Sequence, residues 1–266
     1  MSRQSSVRAV LYHATVILGC IAPAVSVAQS ARSLSGDPQI DLGDKLFFEN
    51  RAEESLDVFE SIVEAHPDNF DALWRAARGA VVMGLLAHGT EIENRWFMRG
   101  EGYARRATAL QPDGLDGLYW LASSKGLRAV QTSAINASRL GTEVYELAHR
   151  ILEMDPLHAG AYHSLGVLNY EVQKLKPIQR FVATRIMGNR AFRLTSWDDA
   201  EKHLARAVEL EPEFILYHLD LGKMYLERKQ MTLARQAFQT ALDLPAVYVP
   251  DPGLQEVAEM LLAKTY

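Results

Sequence analysis

Four prolines constrain this chain more than any other feature. His66-Pro67, Gln111-Pro112, Asp155-Pro156 and Glu211-Pro212 each close a run of helical periodicity. Proline ends a helix because it lacks an N–H and its ring clashes with the preceding turn. It also drives the residue before it out of the α region. Seven residues after each proline stands Trp74, Tyr119, His163 or Leu219, and ten after it a small residue, Ala77, Ala122, Gly166 or Gly222. Ahead of the prolines, apolar stripes recur at helical spacing: Phe59/Ile62/Val63, Ala104/Ala107/Leu110, Ala148/Ile151/Leu152 and Leu204/Ala207/Val208. Small residues let two helices cross closely, so a repeating pair of helices is specified.

The spacing resembles the tetratricopeptide repeat, a helix–turn–helix unit of about 34 residues. Gly43 stands 24 residues before Pro67, with Phe59 at the aromatic position of the second helix. Gly222, Tyr225, Ala234, Phe238 and Ala241 fit the same pattern, and Pro245 arrives one residue early. The middle units are longer, which implies insertions of 11, 10 and 22 residues between paired helices. Strand signals are almost absent. The expected fold is all-α, a tetratricopeptide-like helical-hairpin solenoid of about five repeats with insertions. A capping helix is expected from about Pro252 to Lys264.

The order of motifs and insert sizes supports a narrower resemblance over about residues 40 to 264. Ala72-Leu-Trp-Arg-Ala-Ala-Arg78, Gly102-Tyr-Ala-Arg-Arg-Ala107, Gly166-Val-Leu-Asn-Tyr170 with Ile178-Gln-Arg-Phe181, and Ala200 through Leu221-Gly-Lys-Met-Tyr-Leu226 to Ala246 are similar to the regulator of microtubule dynamics family. That resemblance implies a non-enzymatic helical-repeat protein. It also implies the settings of that family, microtubules or organelle membranes, and in some members lipid binding at membrane contacts.

The first residues depart from that setting. Between Met1 and Gly36 there is no acidic residue, Arg3 and Arg8 precede an apolar run from Ala14 to Ala28, and Ser26 and Ala28 flank Val27. A basic start, an apolar stretch and small residues at its end read as a secretory signal peptide. Removal after Ala28 takes away Cys20, the one cysteine, and leaves 26 basic against 33 acidic residues. Disulfides, thiolate catalysis and Cys-ligated zinc then go together. A periplasmic or secreted location follows. Mitochondrial import is the alternative for an acid-free, Arg- and Ser-bearing leader. An uncleaved anchor is disfavoured by Tyr12, His13 and Pro23, and a lipoprotein reading of Cys20 by the apolar residues after it. The expected organisation is a signal peptide over 1–28, a flexible segment over 29–37, and one solenoid domain over 38–266 with its long insert at about 174–196.

Composition excludes a general nucleic-acid role, since a formal charge of -5 offers no surplus of Lys and Arg for phosphate. No P-loop, dinucleotide fingerprint, zinc-protease helix or nucleophile elbow occurs, so neither enzyme nor cofactor nor metal is expected. His158 and His163 lie five apart, where a helical metal pair wants three or four. The long insert carries Lys174, Lys176, Arg180, Arg185, Arg190 and Arg193 with no acid. It reads either as a lip for anionic groups or as a crossover helix packed on the solenoid.

Solenoids bind through their concave face, which the first helix of each unit lines. In the register above, Trp74, Arg78, Val81, Tyr119, Ser123, His163, Tyr170, Leu219 and Lys223 belong to that face. Large residues at helical spacing also serve as inter-helix core, so each has a packing reading beside the binding one. Trp74, Arg78, Tyr119, Ser123, His163, Tyr170, Arg180 and Arg185 are the candidate binding residues. Two functions are compatible with them. One is a scaffold holding a protein or peptide partner. The other is a carrier of lipid or a small apolar ligand, in contact with phospholipid or a membrane surface, with the basic insert at the mouth.

Overall fold

The computed structural model describes residues 36–176, 180 and 190–266, without the side chain of Arg190. The leader, Arg185 and most of the basic insert lie outside the described residues. Twelve α-helices occur among those described. Ten form five consecutive hairpins: α1 (Pro38–Phe48) with α2 (Ala52–Ala65), α3 (Phe70–Leu86) with α4 (Thr90–Leu110), and α5 (Leu115–Ala129) with α6 (Ala134–Met154). α7 (Ala159–Lys174) pairs with α9 (Trp197–Leu210) across the insert, which contributes the short α8 (Arg190–Arg193). α10 (Ile215–Glu227) pairs with α11 (Met231–Asp243), and α12 (Asp251–Leu262) caps them.

The four proline turns share one geometry. The residue before each proline has φ between -127° and -135° and ψ between 76° and 93°. Pre-proline sterics require this extended shape. Its carbonyl then accepts the N–H three residues on, from Asn69, Gly114, His158 and Phe214 in turn. Proline thus sits at the second position of a tight turn, where its fixed φ is favourable. Two of the following helices carry side-chain caps. Asn69 accepts from the Ala72 N–H at 2.9 Å and His158 Nδ1 from the Ala161 N–H at 3.2 Å. Burial lowers the His158 pKa, which keeps the ring neutral and able to accept.

Small residues and rings lock the hairpins. A Cβ on Gly43 would stand 2.5 Å from the Phe59 ring, and one on Gly222 2.5 Å from the Phe238 ring. Gly166 meets Leu204 in the same way, at 2.6 Å. Phe59, Leu204 and Phe238 are fully buried. The first and fifth hairpins also share a turn. Asn50 and Lys229 take left-handed φ of 62° and 59°. The N–H groups of Asn50 and Arg51 reach back to Phe47 and Leu46, and those of Lys229 and Gln230 to Leu226 and Tyr225. This is the glycine-favouring Schellman ending, made here without glycine.

The two shorter insertions lengthen helices more than loops. α3 has 17 residues and α4 and α6 have 21 each, against 11 and 14 in the first hairpin. The apolar stripes are otherwise in place, with one correction: Leu110, at the last turn of α4, is 44% exposed. The superhelix also returns on itself. Phe47 on α1 and Val82 on α3 share one buried apolar cluster with Phe214, Tyr217 and Leu254 of the last unit and its cap. No helix among the described residues is long and apolar enough to cross a membrane.

Candidate functional site

The first helices α1, α3, α5, α7 and α10 place one polar or aromatic file along the inside of the superhelix. Trp74, Arg78, Tyr119, Ser123, His163 and Tyr170 are all buried, as are Val81, Leu219 and Lys223. The positions read from sequence as groove lining therefore lie beneath the surface, and Trp74, Val81 and Tyr119 belong to one apolar core cluster.

At the N-terminal end, Arg78 donates from Nη2 to Asp44 Oδ1 at 2.7 Å, and Arg75 from Nε to Asp44 Oδ2 at 2.8 Å. The Arg78 guanidinium lies 3.7 Å over the Phe47 ring and that of Arg75 4.0 Å over Trp74. Burial lowers the Arg78 pKa, and Asp44 opposes that effect. Burial pushes the Asp116 carboxyl up, against the pull of Arg75 and Arg78. The Arg78 charge also acts on Tyr248, in the connection between α11 and α12, so the second hairpin and the C-terminal end share one electrostatic environment.

At the other end, His163 Nε2 and Asp220 Oδ2 lie 2.8 Å apart, joining α7 to α10. Asp220 Oδ1 accepts from Lys223 Nζ at 2.8 Å, and the His163 ring stacks 4.8 Å from Tyr217. Burial alone would raise Asp220, but Lys223 and His163 hold its carboxyl down to about 2. The neighbouring Glu171 is pushed up to about 7 by burial, with Lys174 and Lys223 pulling the other way. Burial raises the Tyr170 hydroxyl, and Glu171, Glu227 and Asp220 add to it. Lys174 sits 4.6 Å over the Tyr170 ring, and Arg180 donates from Nη1 to Gln173 Oε1 at 2.6 Å.

Chemically, these groups are committed to ion pairs and stacking, and none of them sets a nucleophile beside a base. No group of three or more His, Cys, Asp or Glu among the described residues could hold a metal. Among the buried side-chain atoms without a hydrogen-bond partner are Arg78 Nε, Ser123 Oγ and His163 Nδ1, on three successive first helices; Trp120 Nε1, Ser124 Oγ and Arg128 Nε of α5 share that state. Buried polar atoms are normally satisfied, so a file of exceptions calls for an explanation. Sequence reasoning found Arg78, Ser123 and His163 but missed Asp44, Asp116 and Asp220. Only Asp220 carried a local signal, three residues before Lys223 inside an apolar first helix; Asp44 meets Arg75 and Arg78 across 31 and 34 residues, a distance that no local spacing announces.

Paired helices, proline turns and a concave face built from first helices define a tetratricopeptide-type helical-repeat protein. A thermophilic tetratricopeptide-repeat protein of Thermus thermophilus has the same fold, with a TM-score of 0.58 at 18% identity over 85% of this chain and 97% of that one. More narrowly, the chain belongs to the family described as Regulator of microtubule dynamics protein 1-3, whose pattern matches residues 40–266. Regulator of microtubule dynamics protein 1 of Bos taurus is 26% identical over 267 residues, 96% of this chain and 81% of that protein. The Caenorhabditis elegans protein of the same name is 24% identical, over 83% of this chain and 96% of its own length.

Proposed function

We propose that the protein is a non-enzymatic scaffold that holds a peptide segment of a partner along the inside of its superhelix. The observation that carries this reading is the file of unsatisfied polar atoms on Arg78, Ser123 and His163. A peptide brings a backbone donor and acceptor at every residue and can satisfy such a file. An acyl chain brings none, so the same file disfavours a lipid carrier. Entry requires the first two hairpins and the last unit to part, within the apolar cluster that Phe47 and Val82 share with Phe214, Tyr217 and Leu254. Ordering that opening lowers affinity by the fraction of open molecules, which suits a reversible contact.

The acid-free leader supports export to a periplasm or the cell exterior, with import into mitochondria as the competing route. Intact mass of the protein from its native host tests this point: loss of residues 1–28 supports export.

Native mass spectrometry of the purified full chain tests the binding reading. A retained peptide, or a protein partner released by Ser123→Trp, supports it. Stoichiometric co-purified phospholipid would overturn it in favour of the carrier.

A further inference from the structure

A second recess lies between α4, α5 and α6 and is lined from all three. It has a volume of about 310 Å³, at the small end of ligand pockets. Lys125 forms part of its lining, with a side chain only 3% exposed. Its ammonium bridges Glu101, at 3.1 Å, and Glu143. Glu101 also receives Arg105 at 2.5 Å and Arg128, and Glu143 receives Arg139. Two carboxylates therefore serve four cations. Burial would raise Glu101, but Lys125, Arg128 and Arg105 hold its carboxyl below the ordinary range.

Two cations stand at the rim. Arg105 and Arg150 both line the recess and are 57% and 46% exposed. Each gives only part of its fork to a carboxylate: Arg105 through Nε and Nη2 to Glu101, Arg150 through Nη2 to Asp113. Leu121 and Leu147 supply an apolar wall. Glu143 and Glu146 also line the recess and oppose an anion there, against the three cations Arg105, Lys125 and Arg150.

We propose that this recess binds the carboxylate or phosphate group of a small ligand, clasped by Arg105 and Arg150 over Lys125, with a short apolar part against Leu121 and Leu147. Guanidinium forks recognise planar and tetrahedral oxyanions through paired, charge-assisted hydrogen bonds. Lys125 sets a third cation at the base, paired with Glu101 and Glu143. The site is independent of the concave reading and stands or falls without it.

The test is titration of the full chain with sodium phosphate and, separately, with succinate at constant ionic strength, followed by the amide shifts of Leu121, Lys125 and Leu147. Saturable binding of either anion is expected. Phosphate alone would assign a phosphate ester, and succinate alone a carboxylic acid. The exposed double variant R105Q/R150Q should bind at least about tenfold more weakly, whereas E146Q should bind about threefold more tightly because a like charge is gone. Linear, unsaturated shifts with both anions in the wild type would overturn the proposal. So would unchanged affinity in R105Q/R150Q.

Discussion

His163 on α7 and Asp220 on α10 face each other at 2.8 Å across 57 residues of sequence, both buried. The pair joins the fourth hairpin to the fifth, and Lys223 completes it from the other oxygen of Asp220. Removing the carboxylate strands a buried ammonium. Asp220→Ala should cost about 3–5 kcal/mol, read from urea unfolding at neutral pH. Asp220 is depressed to about 2 from an ordinary 3.8. Its contribution is therefore complete above the ordinary value and lost as pH falls through the folded one. The stability gap between wild type and Asp220→Asn should shrink between about pH 4 and pH 2.

Glu211 carries the opposite sign. Burial pushes its carboxyl up to about 7, and the Tyr217 hydroxyl opposes only part of that. Stability from a raised carboxyl is present below its unfolded value and lost as pH rises through the folded one. Glu211→Gln should therefore raise the Tm relative to wild type at pH 8 by an amount equivalent to about 1–3 kcal/mol, and leave it nearly unchanged at pH 4. An equal shift at both pH values would contradict the assignment.

Hairpin packing gives a third expectation. Gly222→Val places a side chain into the Phe238 ring, and Leu204→Ala opens a hole opposite Gly166. Both should destabilise by about 2–5 kcal/mol, the first by overpacking and the second by a cavity. Thermal melts that leave either Tm in place would mean that the helix register is wrong.

Lys229 gives a stabilising change. Its φ of 59° sits in the left-handed region, which costs an L side chain about 1–2 kcal/mol. Lys229→Gly should raise unfolding stability by about 0.5–1 kcal/mol in urea titration, since it relieves that strain at an exposed turn and gives back part in chain entropy.

How legible this was follows from the kind of signal involved. Proline positions forecast all four inter-unit turns because the steric rule at the preceding residue is local. Gly43 with Phe59, and Gly222 with Phe238, announced hairpin crossings by size alone. The insert lengths could be counted, yet whether extra residues lengthen a helix or a loop depends on caps too weak to read. Buried charged residues were the least legible. Asp220 with Lys223 and Glu101 with Arg105 have spacings that a solvated helix face also shows, while their burial comes from helices 24 to 57 residues away. The inward file of Trp74, Tyr119 and His163 was visible as a repeat position. Its closure by the last unit was not, because superhelical curvature is a sum of small rotations.

The binding account rests on the interior file, and one measurement tests it most directly. A peptide selected by the full chain from a displayed library would be followed by hydrogen–deuterium exchange of the complex. Added protection in α3, α5 and α7, around Arg78, Ser123 and His163, with Ser123→Trp abolishing it, is the predicted result. Protection confined to the second helices α4, α6 and α9, or unaltered by Ser123→Trp, would contradict it.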